Sequence, residues 1–351
     1  MRVCVTGGAG FIGAPLCAAL DAGGHVPVCI DLHAPAPPPP WPVHLADLRD
    51  EAALRAALSG EAIVHLAAVH RDDVRPRSLY EEVNVEGTRR LCRIAAEKGI
   101  ERIVFASSVA VYGDASPGAD EHTAPRPFND YGRSKLAAEA VLRDWQAGDP
   151  AVRSLVIVRP TVVFGPGNRG NLHLLLDQIA AGRFVMVGDG TNRKSLAHVD
   201  NVVAFIVHVL GLGPGVHLFN YADAPDFTMN DLVAFARVRL RGRSGVGLRL
   251  PRAAGLALGH AADAISRLSG RSLPVSAVRV RKFTADTAFA SAAHALAGFR
   301  APVGLRDGLE RMIARDFPRA SAVGEQVAMM TIEQHEARRG EGHRDKHDIE
   351  R

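Results

Sequence analysis

Val3-Cys4-Val5-Thr6-Gly7-Gly8-Ala9-Gly10-Phe11-Ile12-Gly13, near the start of the chain, decides the fold. An apolar run of strand type ends at Thr6, glycines follow at 7, 10 and 13, and a helical pattern occupies 11–22. Glycine permits the tight turn, lets backbone approach a pyrophosphate and allows the new helix to pack on the strand. The helix start then offers free N–H groups and a positive dipole end to phosphates. A second apolar run, 26–31, ends on Asp31, eighteen residues beyond Gly13. A carboxylate there bonds both ribose hydroxyls of NAD and repels the 2′-phosphate of NADP. Strand, glycine loop, helix and acid together predict an NAD site.

Outward from this start, residues 43–46, 62–66, 102–106 and 154–159 read as strands, and 51–58, 79–98 and 131–147 as helices. Such alternation predicts an α/β fold, a Rossmann-type doubly wound parallel sheet. The second half is less regular: helix at 172–181, a short strand at 184–187, helix at 199–210 and strand at 216–220. The expected organisation is an NAD-binding domain over 1–167, to which 197–222 returns. A smaller mixed α/β C-terminal substrate lobe takes 168–196 and 223–320. Residues 35–42, Pro-Ala-Pro-Pro-Pro-Pro-Trp-Pro, read as an exposed loop, because proline fixes φ and lacks an amide donor. Residues 321–351 read as a charged, disordered tail: ten of the sixteen from Glu336 onward are charged, five of each sign.

Composition excludes several classes. Hydrophobic residues make up 47% and charged ones 23%, as in an ordinary globular protein. The formal net charge of +4 comes from Lys and Arg read as dispersed among acids, which gives no nucleic-acid stripe. Cys4, Cys17, Cys29 and Cys92 lie in apolar segments without metal-ligand spacing and read as reduced, buried thiols; no metal is expected. Met1 opens directly into a strand pattern, so no signal peptide is expected, and no apolar run reaches 18 residues. Residues 253–268 include His260, Asp263 and Arg267 and read as a buried or amphipathic helix rather than a membrane span. The expected location is cytoplasmic.

The chemistry centres on Tyr131-Gly132-Arg133-Ser134-Lys135. Residues i and i+4 share a helix face. A phenol titrates near about 10 in water and is a poor base at neutral pH unless a cation stabilises its anion. Lys135 provides that cation. The strand at 102–106 leads into Ser107-Ser108, and a hydroxyl at the carboxyl end of a parallel strand sits where such sheets bind ligands. Ser108 can bond the oxygen that Tyr131 deprotonates.

These stretches resemble the extended short-chain dehydrogenase/reductases, specifically the NAD-dependent sugar epimerase/dehydratase family. The matching segments are TGGAGFIG (6–13), Asp31, ADL (46–48), HLAA (65–68), NVEGT (84–88), SSVAVYG (107–113), YGRSK (131–135), RPTVVFGPG (159–167) and GDGTNRKSLAHVDNV (188–202). The resemblance implies that Gly7, Gly10, Phe11, Ile12 and Gly13 cradle the pyrophosphate. It implies that Asp31 holds the adenosine ribose, that Asp47 and Leu48 meet the adenine, and that Leu66, Ala67 and Ala68 line the cofactor. Asn84 sits behind the site and Pro160 borders the nicotinamide. Ser108, Tyr131 and Lys135 are catalytic. Lys194 aligns with the arginine that clamps a sugar-nucleotide diphosphate, with Arg193 beside it. The helices at 79–98 and 131–147 are, by resemblance, those that pair across a two-fold axis into a homodimer; a solvent-facing surface is the alternative.

Three departures narrow the reaction. Val109-Ala110 stand where a 4,6-dehydratase carries its Asp-Glu acid and base, and neither moves a proton, so dehydration is not expected. Val162 stands where many UDP-hexose epimerases place an asparagine. Lys194 replaces the diphosphate arginine, keeping charge but losing the bidentate fork. The reading that follows is an NAD-dependent epimerase acting at C4 of a nucleotide-diphosphate sugar, a UDP-hexose or UDP-N-acetylhexosamine, through a 4-keto intermediate. The alternative is an NAD(P)-dependent reductase or dehydrogenase of a keto-sugar nucleotide or a 3β-hydroxysteroid-like substrate, since Pro-Thr-Val-Val-Phe-Gly also resembles those relatives. A third reading is a cofactor-sensing scaffold on the same fold.

Overall fold

The computed structural model describes residues 1–71, 74–114, 117–269 and 276–318. Strand β1 (Arg2–Thr6) leads through the glycine loop into α1 (Gly13–Ala22), then β2 (Val26–Asp31), β3 (Val43–Leu45), α2 (Glu51–Ala57) and β4 (Ala62–His65). A π-helical segment, Tyr80–Val85, runs into α3 (Glu86–Glu97). Next come β5 (Arg102–Ala106), a 3-10 turn (Val109–Tyr112), α4 (Asp130–Ala147), β6 (Ser154–Pro160) and β7 (Val162–Phe164). The chain continues with α5 (Asn171–Ala180), β8 (Met186–Val187), β9 (Arg193–Lys194), β10 (Leu196–His198), α6 (Val199–Val209) and β11 (Gly215–Tyr221). It closes with β12 (Phe227–Thr228), α7 (Met229–Arg241), β13 (Arg249–Leu250), α8 (Arg252–Ser269), α9 (Ala277–Thr284) and α10 (Leu305–Asp316). The expected tail at 321–351 lies outside the described residues.

The chain forms two compact units. Unit 1 comprises Met1–Phe164, Ser195–Ala224 and Ala288–Leu305. Its parallel sheet has seven strands in the order β11-β6-β5-β4-β1-β2-β3, so the strand order reverses between β1 and β4. That is the doubly wound arrangement, in which ligands bind beyond the carboxyl ends of the strands at the reversal. The inner strands β4 and β6 are buried along their whole length, which is why their middles, Ala62–Val64 and Leu155–Val158, are apolar without alternation. Pro27 in β2 is tolerated for a geometric reason. Cys29 donates its N–H toward Pro42 on the β3 side, so the Pro27 nitrogen faces that side too, before the β3 register starts at Cys29.

Side chains alternate between two cores. Cys4, Ile63, Ile103 and Ile157 pack on one face with Leu54, Leu91, Leu142 and Trp145 from α2, α3 and α4. Val3, Val5, Val64 and Val156 pack on the other with Leu16 and Leu20 of α1 and Phe205 and Ile206 of α6. α6 packs into the second core, and β11 pairs parallel with β6 over Gly215–Tyr221. One stretch differs from the sequence reading, which gave all of 223–320 to the smaller lobe. Residues Ala288–Leu305 belong to unit 1, because Ala293 and Phe299 are buried in its second core and Val303 exchanges hydrogen bonds with Asn201.

Among the described residues, unit 2 holds Gly165–Lys194, Pro225–Thr287 and 306–318. Its strands are short pairs, β9 antiparallel to β12 and β8 parallel to β13. The strand expected at 184–187 is only Met186–Val187, since its single partner β13 has two residues. A Cβ on Gly255 would lie 2.4 Å from Val187, and one on Gly259 would lie 2.7 Å from the Ala277 nitrogen, so glycine sets how closely α8 packs.

Candidate active site

At the carboxyl end of β1 the loop folds on itself. Gly7 has φ +71° and donates its N–H to Ile30, and Gly10 donates back to Gly7. A Cβ on Gly13 would stand 2.0 Å from the Gly7 carbonyl oxygen, and one on Gly7 would stand 2.9 Å from the Ala67 nitrogen. Only glycine fits at both places. Asp31, at the end of β2, accepts the N–H of Ala9 at 3.0 Å and that of His33 at 3.3 Å, fixing the loop beside its carboxylate. Phe11 and Ile12 are half-buried over the start of α1, and Leu66, Ala67 and Ala68 are half-buried just past β4. A glycine cradle without side chains, a helix start and an adjacent carboxylate suit a dinucleotide in these residues.

Further along the edge, Leu48 is 5% exposed and packs against Gly87, so it is a core residue as well as an expected cofactor neighbour. Asp47 is held by the Arg49 guanidinium, which keeps its carboxyl below the usual range. Pro160 closes β6 and is buried.

α4 carries the two residues expected to be catalytic, Tyr131 and Lys135. Asn129 caps it, accepting the Gly132 N–H at 2.8 Å. A Cβ on Gly132 would lie 2.5 Å from the Ala110 carbonyl oxygen, so this glycine brings the Tyr131 turn against the turn that follows Ser108. Ser108 is half-buried and accepts the Ala110 N–H at 3.1 Å. Tyr131 is half-buried in the first turn of α4. Lys135 is 2% exposed; its Nζ donates to the Ala106 carbonyl at 2.7 Å and lies 4.5 Å from the Phe105 ring centroid. Burial draws its pKa down to about 7, against an opposing pull from Glu139.

Several groups that sequence reasoning missed support this pair. Glu139 completes the row 131, 135, 139 and takes a bidentate grip from Arg159 at 2.9 and 2.6 Å plus the Ser107 hydroxyl at 2.5 Å. Ser107 is therefore turned to the buried carboxylate, while its neighbour Ser108 is not part of that contact. Arg159 also donates to the Tyr112 hydroxyl, which donates to Asn220. The i+4 step from Lys135 was a signal for Glu139; nothing local pointed to Tyr112 or Asn220.

A second chain of hydrogen bonds joins the glycine loop to α4. Ala67 N–H donates to the Thr6 hydroxyl, Thr6 bonds His65 Nδ1 at 2.7 Å, and His65 Nε2 meets Thr88 at 3.0 Å. Thr88 donates to the Asn84 carbonyl, which assigns the Nε2–H tautomer to His65. Burial, reinforced by Lys135, lowers the His65 pKa to about 3, so it is neutral at pH 7. The Asn84 amide donates to Val69 and to Ser134, and Ser134 donates to the Tyr131 carbonyl. A plain helix is expected at 79–98. The π-helical segment that replaces its first part contains Asn84 and changes the pitch there, as such segments do at functional sites.

Arg193 and Lys194 belong to unit 2. Arg193 is exposed. The Lys194 Nζ donates to the Lys282 carbonyl at 3.0 Å and the Ala285 carbonyl at 2.6 Å, and burial lowers its pKa to about 8.

The chain is similar to known proteins. A family model described as NAD dependent epimerase/dehydratase family matches residues 3–221. The N-acetyl-alpha-D-glucosaminyl-diphospho-ditrans,octacis-undecaprenol 4-epimerase of Escherichia coli O157:H7 is 46% identical over 278 residues, covering 79% of this chain and 84% of the relative. The UDP-glucose 4-epimerase of Yersinia pestis is 30% identical over 277 residues, 67% of this chain and 81% of the relative. Among solved structures, MoeE5 in complex with UDP-glucose and NAD is 27% identical with a TM-score of 0.68, covering 90% of this chain and 98% of that one. On the family match and the glycine cradle together, the chain is an NAD-dependent enzyme and belongs to the NAD-dependent epimerase/dehydratase family.

Proposed function

We propose that this enzyme inverts C4 of a diphosphate-linked hexose or N-acetylhexosamine, with Ser108, Tyr131 and Lys135 as its catalytic residues. The observation that carries the reading is the Tyr131–Lys135 face of α4, anchored by Lys135 to Ala106 at the end of β5, two residues before Ser108. Gly7, Gly10, Phe11, Ile12, Gly13, Asp31, Asp47, Leu48, Leu66, Ala67, Ala68, Asn84 and Pro160, with Tyr131 and Lys135, are the residues that would hold NAD. When bound there, NAD would supply reversible hydride acceptance at the sugar carbon. Tyr131 removes the C4 hydroxyl proton as that carbon becomes a carbonyl, and gives the proton back once the sugar has turned over. Ser108 holds the reacting oxygen, and the Lys135 ammonium lowers the cost of the phenolate. Glu139 favours that charged form against burial. α3 and α4 would form the homodimer face, and the enzyme would work in the cytoplasm.

The carrier on the diphosphate divides the reading. A nucleotide, as in a UDP-hexose or UDP-N-acetylhexosamine, is the expectation from sequence. The Escherichia coli relative favours a polyprenol instead. Lys194 spends two of its three N–H groups on backbone carbonyls and is a weaker diphosphate clamp than an arginine, but the diphosphate is common to both carriers and does not separate them. The test gives purified enzyme UDP-GlcNAc and GlcNAc-diphospho-polyprenol in parallel, reading sugar configuration by chromatography and absorbance at 340 nm. The C4 epimer with no net absorbance change upholds the proposal, and the faster substrate names the carrier. Stoichiometric change in reduced cofactor overturns it in favour of the keto-sugar or hydroxysteroid-type oxidoreductase.

A further inference from the structure

The even mixing of charges expected from composition fails in one stretch. Residues 232–285 carry eleven Lys or Arg and a single acid, Asp263. That is +10 in a chain whose total is +4, so the remainder nets −6. The stretch lies in unit 2 and includes α8 and α9.

α8 is built inside out. Its inner side is Gly255 and Gly259, pressed on Val187 and Ala277, with the Asp263 carboxylate accepting the Ala277 N–H at 3.1 Å. At 3.6 residues per turn, Ala253, Ala257, Leu258, Ala261, Ala264 and Ile265 fall on the opposite side. All six are exposed, Leu258 by 57% and Ile265 by 54%. Leu248, just before β13, is 77% exposed, and Val278 in α9, the helix packed on α8, is 57% exposed. The exposed guanidiniums of Arg243, Arg252 and Arg281 make no ion pair with any described residue.

From these features we infer that α8 docks unit 2 on an anionic phospholipid bilayer, lying in the plane of the interface. An apolar face set among unneutralised basic residues matches acyl chains below and anionic headgroups around it. No helix among the described residues is long and apolar enough to cross a membrane, so the helix lies on the surface rather than spanning it. A second copy of the chain would bring the same positive charge to the contact and repel it, so charge favours the bilayer. The inference rests on the surface of unit 2 and not on the substrate reading, and the two fail separately.

The test is flotation of the full-length protein with vesicles of phosphatidylcholine alone and of phosphatidylcholine with phosphatidylglycerol, free of glycolipid. The protein floats with the anionic vesicles, and the bound fraction falls as salt rises from about 0.05 to about 0.5 M. Leu258→Glu with Ile265→Glu lowers binding by about tenfold or more, and Arg252→Glu with Arg281→Glu lowers it while weakening its salt dependence. Unchanged circular dichroism and melting temperature show that each variant is folded. Wild type that stays unbound, or a Leu258/Ile265 variant that floats as well as wild type, overturns the inference. So does a concentration-dependent dimer that the same variant dissolves, since the face then belongs to a second copy.

Discussion

α4 and α8 are both 18 residues long, and both depart from the usual rule that a helix turns apolar residues inward and charges outward, α4 by burying charges beside its apolar residues and α8 by exposing apolar ones. α4 buries Ser134, Lys135, Glu139 and Gln146. α8 buries glycine and exposes leucine and isoleucine. The departures differ in what offsets them. Every buried charge on α4 meets a partner within its own unit: Lys135 meets Ala106, and Glu139 meets Arg159 and Ser107. The outer face of α8 leaves Leu258 and Ile265 more than half exposed, and the partner inferred for it is outside the protein. A rule broken and repaired internally marks chemistry; a rule broken and left open marks a contact.

The largest effect should come from the one α4 group whose value is chemical rather than structural. Tyr131→Phe removes the proton carrier and keeps the ring. Turnover is expected to fall about a thousandfold, near the middle of what general acid–base groups contribute, with the melting temperature unchanged. Full turnover in this variant would remove Tyr131 from the mechanism.

Glu139→Gln attacks the repair. The Arg159 guanidinium, 3% exposed, then lies buried without a counter-charge, a situation that costs about 3–5 kcal/mol. Denaturant unfolding measures the loss. A kinetic signature separates positioning from mere stability. Glu139 raises the Lys135 pKa against burial, and the active form is the ammonium. Without Glu139 the pKa drops, so the alkaline limb of the pH–turnover profile moves to lower pH. An unmoved limb would reduce Glu139 to a structural role.

Lys135→Met tests the cost of burying the cation. Unfolded lysine titrates near about 10.4, whereas folded Lys135 is drawn to about 7. Between those values the unfolded chain keeps a proton that the folded one gives up. The burial penalty is therefore complete below about pH 7 and fades as pH climbs toward 10. The displacement sets an upper limit on the order of 5 kcal/mol, from which the lost hydrogen bond to Ala106 takes about 1. The variant should be inactive yet more stable than wild type by a few kcal/mol at pH 6–7. That advantage should shrink steadily by pH 10 in paired thermal melts.

How much of this was legible in sequence follows from the same two helices. The sheet, the glycine loop, Asp31, Ser108, Tyr131 and Lys135 announce themselves because their spacing repeats the geometry they adopt: period two in strands, i to i+4 on a helix, glycine where a Cβ would collide. Arg159, Tyr112 and Asn220 are far apart in the chain and meet only when β6, the turn after β5 and β11 come together, so no local pattern encodes them. Asn84 was named by resemblance, but not the π-helical pitch that aims it. For α8, periodicity showed a two-sided helix over 253–268 but not which side faces solvent. Small inner residues carry no hydropathy signal, and only packing against Val187 and Ala277 reveals that the glycine side is the inner one.

The smallest expected effect is the most discriminating for that last point. Leu258→Lys and Ile265→Lys place charges on the face that periodicity alone could not assign to solvent or core. If the face is open in the isolated protein, each long side chain extends into water and nothing is left unpaired, so the unfolding free energy changes by less than about 0.5 kcal/mol. Lysine also suits a helix interior at least as well as isoleucine, so propensity works in the same direction. A loss of about 3 kcal/mol or more would mean that other parts of the chain cover these positions, because that is the cost expected for a charge forced into apolar packing. Near-neutral melts set against the large loss in Glu139→Gln would establish that α4 spends its irregular residues on the fold's interior and α8 keeps its own for a surface that folding does not use.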